Sequence, residues 1–399
     1  MTSNWVKSTL GELSIGGRGY YGIGASAVPY SAELYTYLRI TDINDDGTLN
    51  MSDLKSVSDE KATDYLLKPN DIVFARTGAS TGRNYFYDGT DGEFVFAGFL
   101  IKFSLDPKKV NPRYIKYYCI SKDYRDWVAA FNTGSTRGNI NAQTLASMPI
   151  SLPDRAIQNR IVKVLDAIEE KRKSNAKIND NLEQQVQAYF QELFVDNADP
   201  AWTLGTISDL GTVVGGSTPS KSKPEYYTED GIAWITPKDL SINKAKFISH
   251  GENDITELGL KNSSASIMPE GTVLFSSRAP IGYIAIASGE VTTNQGFKSV
   301  VPKPEIGTAY VYCFLKHNLP VIEGMASGST FKEVSGSTMK NVPAVIPDTE
   351  TLTCFNDFCA PIFAHQRILE EQNQSLAALR DSLLPKLMSG EIDVSAIQL

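Results

Sequence analysis

No run in this 399-residue chain approaches 18 consecutive apolar residues, so no membrane-spanning helix is expected. A charged-then-apolar leader is missing ahead of Trp5, which argues against a standard secretion signal. Cysteine is scarce: Cys119, Cys313, Cys354 and Cys359 are too few for a disulfide framework in a chain of this length. A reducing, cytoplasmic setting is the expectation that follows. Excess positive charge is lacking as well. The formal net charge is −8, yet residues 1–153 carry 16 Lys+Arg against 16 Asp+Glu, and residues 201–347 carry 12 against 13. The acid is concentrated in residues 154–200 (7 against 9) and 348–399 (3 against 8). Nucleic-acid binding by bulk charge alone is therefore excluded, though local basic faces are not.

Glycine and proline are also missing from one long stretch, Arg155 to Phe194, and this absence predicts a helix throughout. Pro153 and the Asp199-Pro200 pair bound it. Ile168, Asn175, Leu182 and Tyr189 recur every seven residues, with Ile178, Val186 and Leu193 at the alternate positions. Such a narrow stripe pairs with another helix rather than forming a core.

The partner is present in the same chain. Shifted by 194 residues, Ile168, Asn175, Leu182, Tyr189 and Leu193 fall on Ile362, Leu369, Leu376, Leu383 and Leu387. The same shift carries Pro149 and Pro153 onto Pro343 and Pro347, and Gly134-Ser135-Thr136 onto Gly328-Ser329-Thr330. With small insertions, Gly98-Phe99 matches Gly296-Phe297, Arg76 matches Arg278, Pro69 matches Pro269, and Trp5 matches Trp202. The chain thus reads as an internal duplication in the order globular half, helix, globular half, helix. The boundaries expected are 1–153, 154–199, 200–347 and 348–399. Each half is large enough for its own core.

Within the first half, Tyr35 to Ile40, Asp71 to Arg76, Tyr85 to Tyr87, Phe94 to Phe96 and Leu100 to Ser104 read as strands. A helix is expected after Pro112, with Cys119 and its counterpart Cys313 as small core residues. The fold class is α+β: two tandem mixed α/β domains alternating with two long helices.

Several patterns imitate chemistry. Asp42, Asn44, Asp46 and Gly47 approach a calcium-loop spacing, but a strand-like run precedes them and the second half lacks the ligands, so an Asp-Gly turn is favoured. Asn111-Pro112-Arg113-Tyr114 is close to an amino-methyltransferase loop, but no glycine-rich cofactor loop precedes it, and a helix start fits both halves. Gly78 to Arg83 lacks the Lys-Ser/Thr of a phosphate loop. Cys354, Cys359 and His365 have the wrong spacing for zinc, so no metal site is expected. His250, His317 and His365 all lie in the second part, which rules out a Ser-His-Asp site common to both halves.

What remains are repeated polar features suited to DNA. Arg76 and Arg278 each follow a strand and precede a small-residue turn, and Arg serves bidentate contacts with guanine or phosphate; an ordinary ion pair is the competing reading. The loops Gly134-Ser135-Thr136-Arg137 and Gly328-Ser329-Thr330 with Lys332 can donate to phosphate, or be simple turns. Arg83 and Lys238 complete the DNA-binding candidates.

The duplicated order of Arg-turn, Gly-Ser-Thr loop, Pro-x-x-x-Pro exit and heptad helix, with the ending Leu384-Pro385-Lys386-Leu387-Met388-Ser389-Gly390-Glu391-Ile392, closely resembles the specificity subunit of type I restriction-modification systems. The resemblance spans essentially the whole chain. It implies two target recognition domains, each reading one part of a bipartite double-stranded DNA site. It also implies that the helices pair as an antiparallel coiled coil with pseudo-twofold symmetry, set the spacing and dock two methyltransferase subunits. No catalysis and no cofactor are implied for this chain: partners bring S-adenosylmethionine, and restriction/translocase subunits bring ATP with Mg²⁺. A type IIB or other methylation-linked system could use a similar subunit. A coiled-coil scaffold that does not bind DNA is the reading from a different class.

Overall fold

Each half is closed by a ladder between its first and last strands, seen in a computed structural model that describes residues 5–131, 138–328 and 332–394. Val6–Thr9 runs antiparallel to Pro149–Leu152, with Val6 opposite Leu152 and Thr9 opposite Pro149. Thr203–Thr206 pairs in the same way with Pro343–Ile346. In both, the proline sits at the first residue of its strand, where a missing N–H is tolerated. Each closing strand then feeds a long helix through an aspartate cap. Asp154 accepts from the Ile157 N–H at 2.9 Å, and Asp348 from the Thr351 N–H at 2.9 Å.

The chain divides into two compact units, residues 1–171 with 375–399 and residues 172–374. Each therefore holds one globular half and segments of both long helices.

In the first unit one sheet has the order Tyr20–Tyr21, Leu100–Ser104, Asp71–Ala75, Asn84–Tyr87. A second has Ala27–Pro29, Lys55–Val57, Tyr35–Leu38, Phe94–Phe96, the last two parallel. The second unit repeats this with one strand, Phe247–Ile248, added at the edge of its first sheet. Its sheets are Gly211–Gly215, Lys298–Pro302, Val273–Ser277, Ile281–Ala287, Phe247–Ile248, and Tyr227–Thr228, Asn253–Ile255, Ile232–Ile235, Thr292–Thr293, again ending in a parallel pair. The duplication read from residue spacing is thus a duplication of strand order. One expected strand is shorter than its apolar run. Tyr35–Leu38 stops before Ile40 because Asp42 accepts from the Arg39 N–H at 2.8 Å and folds Ile40–Asp42 into a 3₁₀ turn.

The helix after Pro112 is Pro112–Tyr118, started by the Asn111 side chain accepting from the Arg113 N–H. Its counterpart is Thr308–His317. Tyr114, Ile115 and Tyr117 are fully buried with Leu10, Phe74 and Phe103 in the first core; Tyr310, Val311 and Leu315 join Phe275 and Phe355 in the second. Cys119 and Cys313 are buried within these cores, with free thiols.

The central helix is Arg155–Gln191, followed by a π turn at Glu192–Asp196, and the C-terminal helix is Thr349–Ser389. Within each unit their segments run antiparallel. In the first, Glu169 pairs with Arg380 at 3.0 Å, while Leu165 and Ile168 are buried, as are Leu384 and Leu387. In the second, Asn175 lies beside Gln372 and Asn373, Asn179 beside Gln366 and Glu370, and Tyr189 against Phe355 and Phe358.

This seam corrects the expected one. Ile178 is 37% exposed, whereas Asn175 is fully buried and Asn179 and Glu183 turn inward. A straight helix drifts about 20° per heptad, so a seven-residue stripe leaves the interface unless the helices supercoil. Leu369 and Leu387 are buried, whereas Leu182, Tyr189, Leu193, Ile362, Leu376 and Leu383 lie half-buried at its edges.

The inward polar groups tie the second globular half to the helices. Glu183 forms ion pairs with Lys246 Nζ at 2.5 Å and Lys316 Nζ at 2.6 Å, and Glu370 accepts the N–H groups of Lys246 and Phe247 at 2.8 and 3.0 Å. Lys246, 8% exposed, also lies 3.9 Å from the Phe363 ring centroid. Burial opposes ionisation of Glu183, but Lys246 and Lys316 outweigh it and hold its carboxyl down to about 2. Substituting Glu183→Ala leaves Lys246 buried without its anion and should cost about 3–5 kcal/mol, measured by urea unfolding. In the intact protein the carboxylate is ionised more readily folded than unfolded. Its stabilisation is complete above the unfolded value of about 4.3 and is lost as pH falls from there toward about 2.

Candidate nucleic-acid interface

The two arginines expected to contact DNA lie at the ends of equivalent strands, but not at equivalent positions. Arg76 directly follows Asp71–Ala75 and is fixed on both sides by backbone bonds. Its N–H donates to the Phe99 carbonyl at 3.1 Å, and its carbonyl accepts from the Ile140 N–H at 2.9 Å. In the second half Ser277 makes the matching pair of bonds, its N–H donating to the Gly296 carbonyl at 2.7 Å and its carbonyl accepting from the Val334 N–H at 3.0 Å. Arg278 therefore stands one residue beyond the counterpart of Arg76, past a register shift between Phe275 and Ser277. The sequence match of Arg76 to Arg278 is corrected accordingly, because an extra residue in a bulge leaves no trace in residue type.

Around Arg76 the surface is aromatic. Its guanidinium lies over the Tyr21 ring at 5.2 Å, and its Nε is buried with no hydrogen-bond partner among the described residues. Tyr21 is 43% exposed and Phe99 58%. Gly78, with φ +76°, turns the chain after Arg76, and Thr81 Oγ donates to the carbonyls of Gly78 and Gly138 at 2.7 and 3.1 Å. The turn is thereby tied to the chain leaving the Gly-Ser-Thr loop. Ser135, Thr136 and Arg137 themselves lie outside the described residues.

Around Arg278 the surface is ionic. Its Nη1 lies 3.6 Å from Glu333 Oε2, and Lys298 Nζ lies 3.8 Å from Glu333 Oε1. Burial pushes the Lys298 ammonium below its ordinary value; Glu333 opposes this and Arg278 adds to it. Lys332, next in the chain, is exposed, while Ser329 and Thr330 lie outside the described residues.

Two other candidates have different occupations. Arg83 is engaged by Asp45, with Nε–Oδ1 at 2.7 Å and Nη2–Oδ2 at 3.2 Å, and also reaches the Ile43 carbonyl. Lys238 forms a surface pair with Glu252 at 2.5 Å. The Asp42 to Gly47 segment is a turn: Asp42 accepts from Arg39, Asp46 accepts from Thr48, Ile43 bridges Leu49, and Gly47 has φ +78°. Its carboxylates are directed to these partners rather than to a common point. Tyr21, Lys298 and Glu333 escaped the sequence reading, although Tyr21 carried a signal in the aromatic pair Tyr20-Tyr21 set between Gly19 and Gly22.

Comparison with known proteins supports the reading of the whole chain. A family model described as the type I restriction modification DNA specificity domain matches residues 2–184 and again 201–372. The chain therefore belongs to the type I restriction-modification DNA specificity family. The HindI specificity subunit of Haemophilus influenzae is 22% identical over 98% of this chain and 100% of its own length. The MjaIX specificity subunit of Methanocaldococcus jannaschii is 40% identical over 191 residues, 46% of this chain and 44% of that protein. Among solved structures, the S subunit of a type I system from M. genitalium aligns over 97% of this chain and 96% of that one, with 17% identity and a TM-score of 0.54, a likeness of fold. Among the described residues, no helix is long and apolar enough to cross a membrane.

Proposed function

We propose that this chain is the non-catalytic, sequence-reading subunit of a cytoplasmic type I complex. Each globular half contacts one part of a bipartite, asymmetric site on double-stranded DNA. The paired helices set the distance between the half-sites and dock two methyltransferase subunits that methylate adenine, with restriction/translocase subunits joining them. The observation that supports this best is the repeated strand order: two copies of one domain, each delivered into its own helix, suit two related half-tasks rather than one shared site. Arg76 is the residue best prepared for DNA in the first half, being backbone-clamped, stacked on Tyr21 and free of any acidic partner among the described residues.

The test is competitive filter binding by the complex assembled with its methyltransferase subunits. The wild-type complex should select particular duplexes from fragmented genomic DNA. Arg76→Ala should lose about 1–3 kcal/mol of discrimination, confined to one half-site, if Arg76 makes a bidentate base contact. A wild-type complex with no sequence preference would overturn the proposal in favour of a scaffold.

A further inference from the structure

Glu333 occupies a place that DNA should want. Its two carboxylate oxygens face different cations, Arg278 at 3.6 Å and Lys298 at 3.8 Å. Both separations exceed the roughly 2.7–2.9 Å of charge-assisted hydrogen bonds, so the carboxylate is held by the field of two charges rather than by close bonding. A diester phosphate also offers two oxygens and one negative charge, and suits an arginine fork.

The first half provides the contrast. The Ile140 N–H donates to the Arg76 carbonyl, and the Val334 N–H donates to the Ser277 carbonyl, so the residues just before them are counterparts. In the first half that residue is the neutral Asn139; in the second it is Glu333. Both follow the Gly-Ser-Thr loop by the same interval, although their own bridge partners differ, Thr77 for Asn139 and Ser327 for Glu333. The acidic group is thus a difference of side chain at a shared backbone position.

We propose that Arg278 and Lys298 form a phosphate-binding site in the second half, and that Glu333 is a built-in competitor for it which suppresses binding to non-target DNA. A phosphate and a carboxylate cannot share the two cations without like-charge repulsion, so DNA must displace Glu333 on binding. Target DNA offsets that displacement with base contacts elsewhere in the domain. Mixed-sequence DNA has none to offer, so the carboxylate widens the gap between specific and non-specific binding. The first half, with Asn139, has no such brake.

This inference rests on the proposal that the second half contacts DNA. Its test uses the assembled complex, a short mixed-sequence duplex, and a duplex carrying the motif found by methylome sequencing, across a salt titration. Glu333→Gln, and Glu333→Asn to copy the first half, should bind the mixed-sequence duplex on the order of tenfold more tightly, with a log–log salt slope steeper by about one. Their preference for the motif-bearing duplex should shrink. Asn139→Glu should shift the first half the opposite way. Weaker binding of both duplexes by the Glu333 variants, unchanged affinity and slope, or loss of preference at a single base pair would overturn the inference, the last by making Glu333 a base reader. Lack of any preference in the wild type would instead defeat the functional proposal itself, so the two failures are separable.

Discussion

Inserting four residues into each long helix, after Lys171 and after Gln374, should lengthen the unread spacer of the methylated motif by one or two base pairs and leave both half-sites unchanged. Four residues add about 6 Å of helix and turn it about 40° beyond a full revolution, which roughly preserves its buried face. Six ångströms is near two base pairs at about 3.4 Å each. The insertion points follow from the chemistry of the helices. Around Lys171 and Gln374 the helices carry polar groups, with Asn175 Nδ2 donating to Gln372 and Asn373, so a break there spares the aromatic packing of Phe190 and Phe355 and the burial of Leu165 and Leu384. Both helices must be extended. Extending one alone would hold residues 172–374 in register and slide Glu169 past Arg380, separating a largely buried ion pair. The central helix segment from Ala167 to Phe194, 28 residues or about 42 Å, slightly exceeds one duplex turn of about 34–36 Å, which suits half-sites about one turn apart. Methylome sequencing of a host expressing the variant reads the spacer directly. An unchanged spacer in a folded, methylating variant would mean that the helices do not set the distance.

How much of this was legible in the sequence depends on the range of the interaction. The central helix was legible because Gly and Pro are missing along it, a signal that acts within a few residues, and the C-terminal helix, which contains Pro361 and Pro385, was legible through its heptad match to the central one. Phe94–Phe96 matches its apolar run because all three residues are buried, and Leu100–Ser104 because it is paired on both sides within its sheet. The duplication was legible because both copies keep the same prolines and glycines at the same bends. Pairings between distant residues were not. Arg83 has the pattern of a free surface cation and meets Asp45 only through the fold, 38 residues away. Ile178 fits a heptad by count and leaves the seam because the helix repeat is not 3.5. Lys246 reads as an ordinary surface lysine; its burial depends on Glu183 and Gln366, which its neighbours in sequence do not announce. At the candidate interface, the place of Arg76 at a strand end was legible from the run before it, whereas the approach of Glu333 to Arg278 joins residues far apart in the sequence.

The central claim is that two separate readers share one chain, and exchanging one of them tests it most directly. The first half is closed by the Val6–Thr9 to Pro149–Leu152 ladder and carries its own sheets and two apolar clusters, while its main core also takes in Ile161, Leu165, Leu384 and Leu387 of the long helices, which the exchange leaves in place. A junction at Pro153 cuts between the closing strand and the Asp154 cap of the helix, and so leaves both elements whole. The residues to preserve from this chain are those that seat the half on the helices: Asp166, which accepts from Tyr117 Oη at 2.5 Å and pairs ionically with Arg113 at 2.8 Å, and Gln158, which accepts from the Asn111 N–H at 2.9 Å. A donor half with the matching tyrosine, arginine and asparagine should dock without loss. The measurement is methylome sequencing of a host carrying the exchanged chain with its methyltransferase partners. The account predicts a methylated motif in which one half-site is replaced by the donor's and the other half-site and spacer are untouched. A motif changed in both halves, in a chimaera that still methylates, would contradict it.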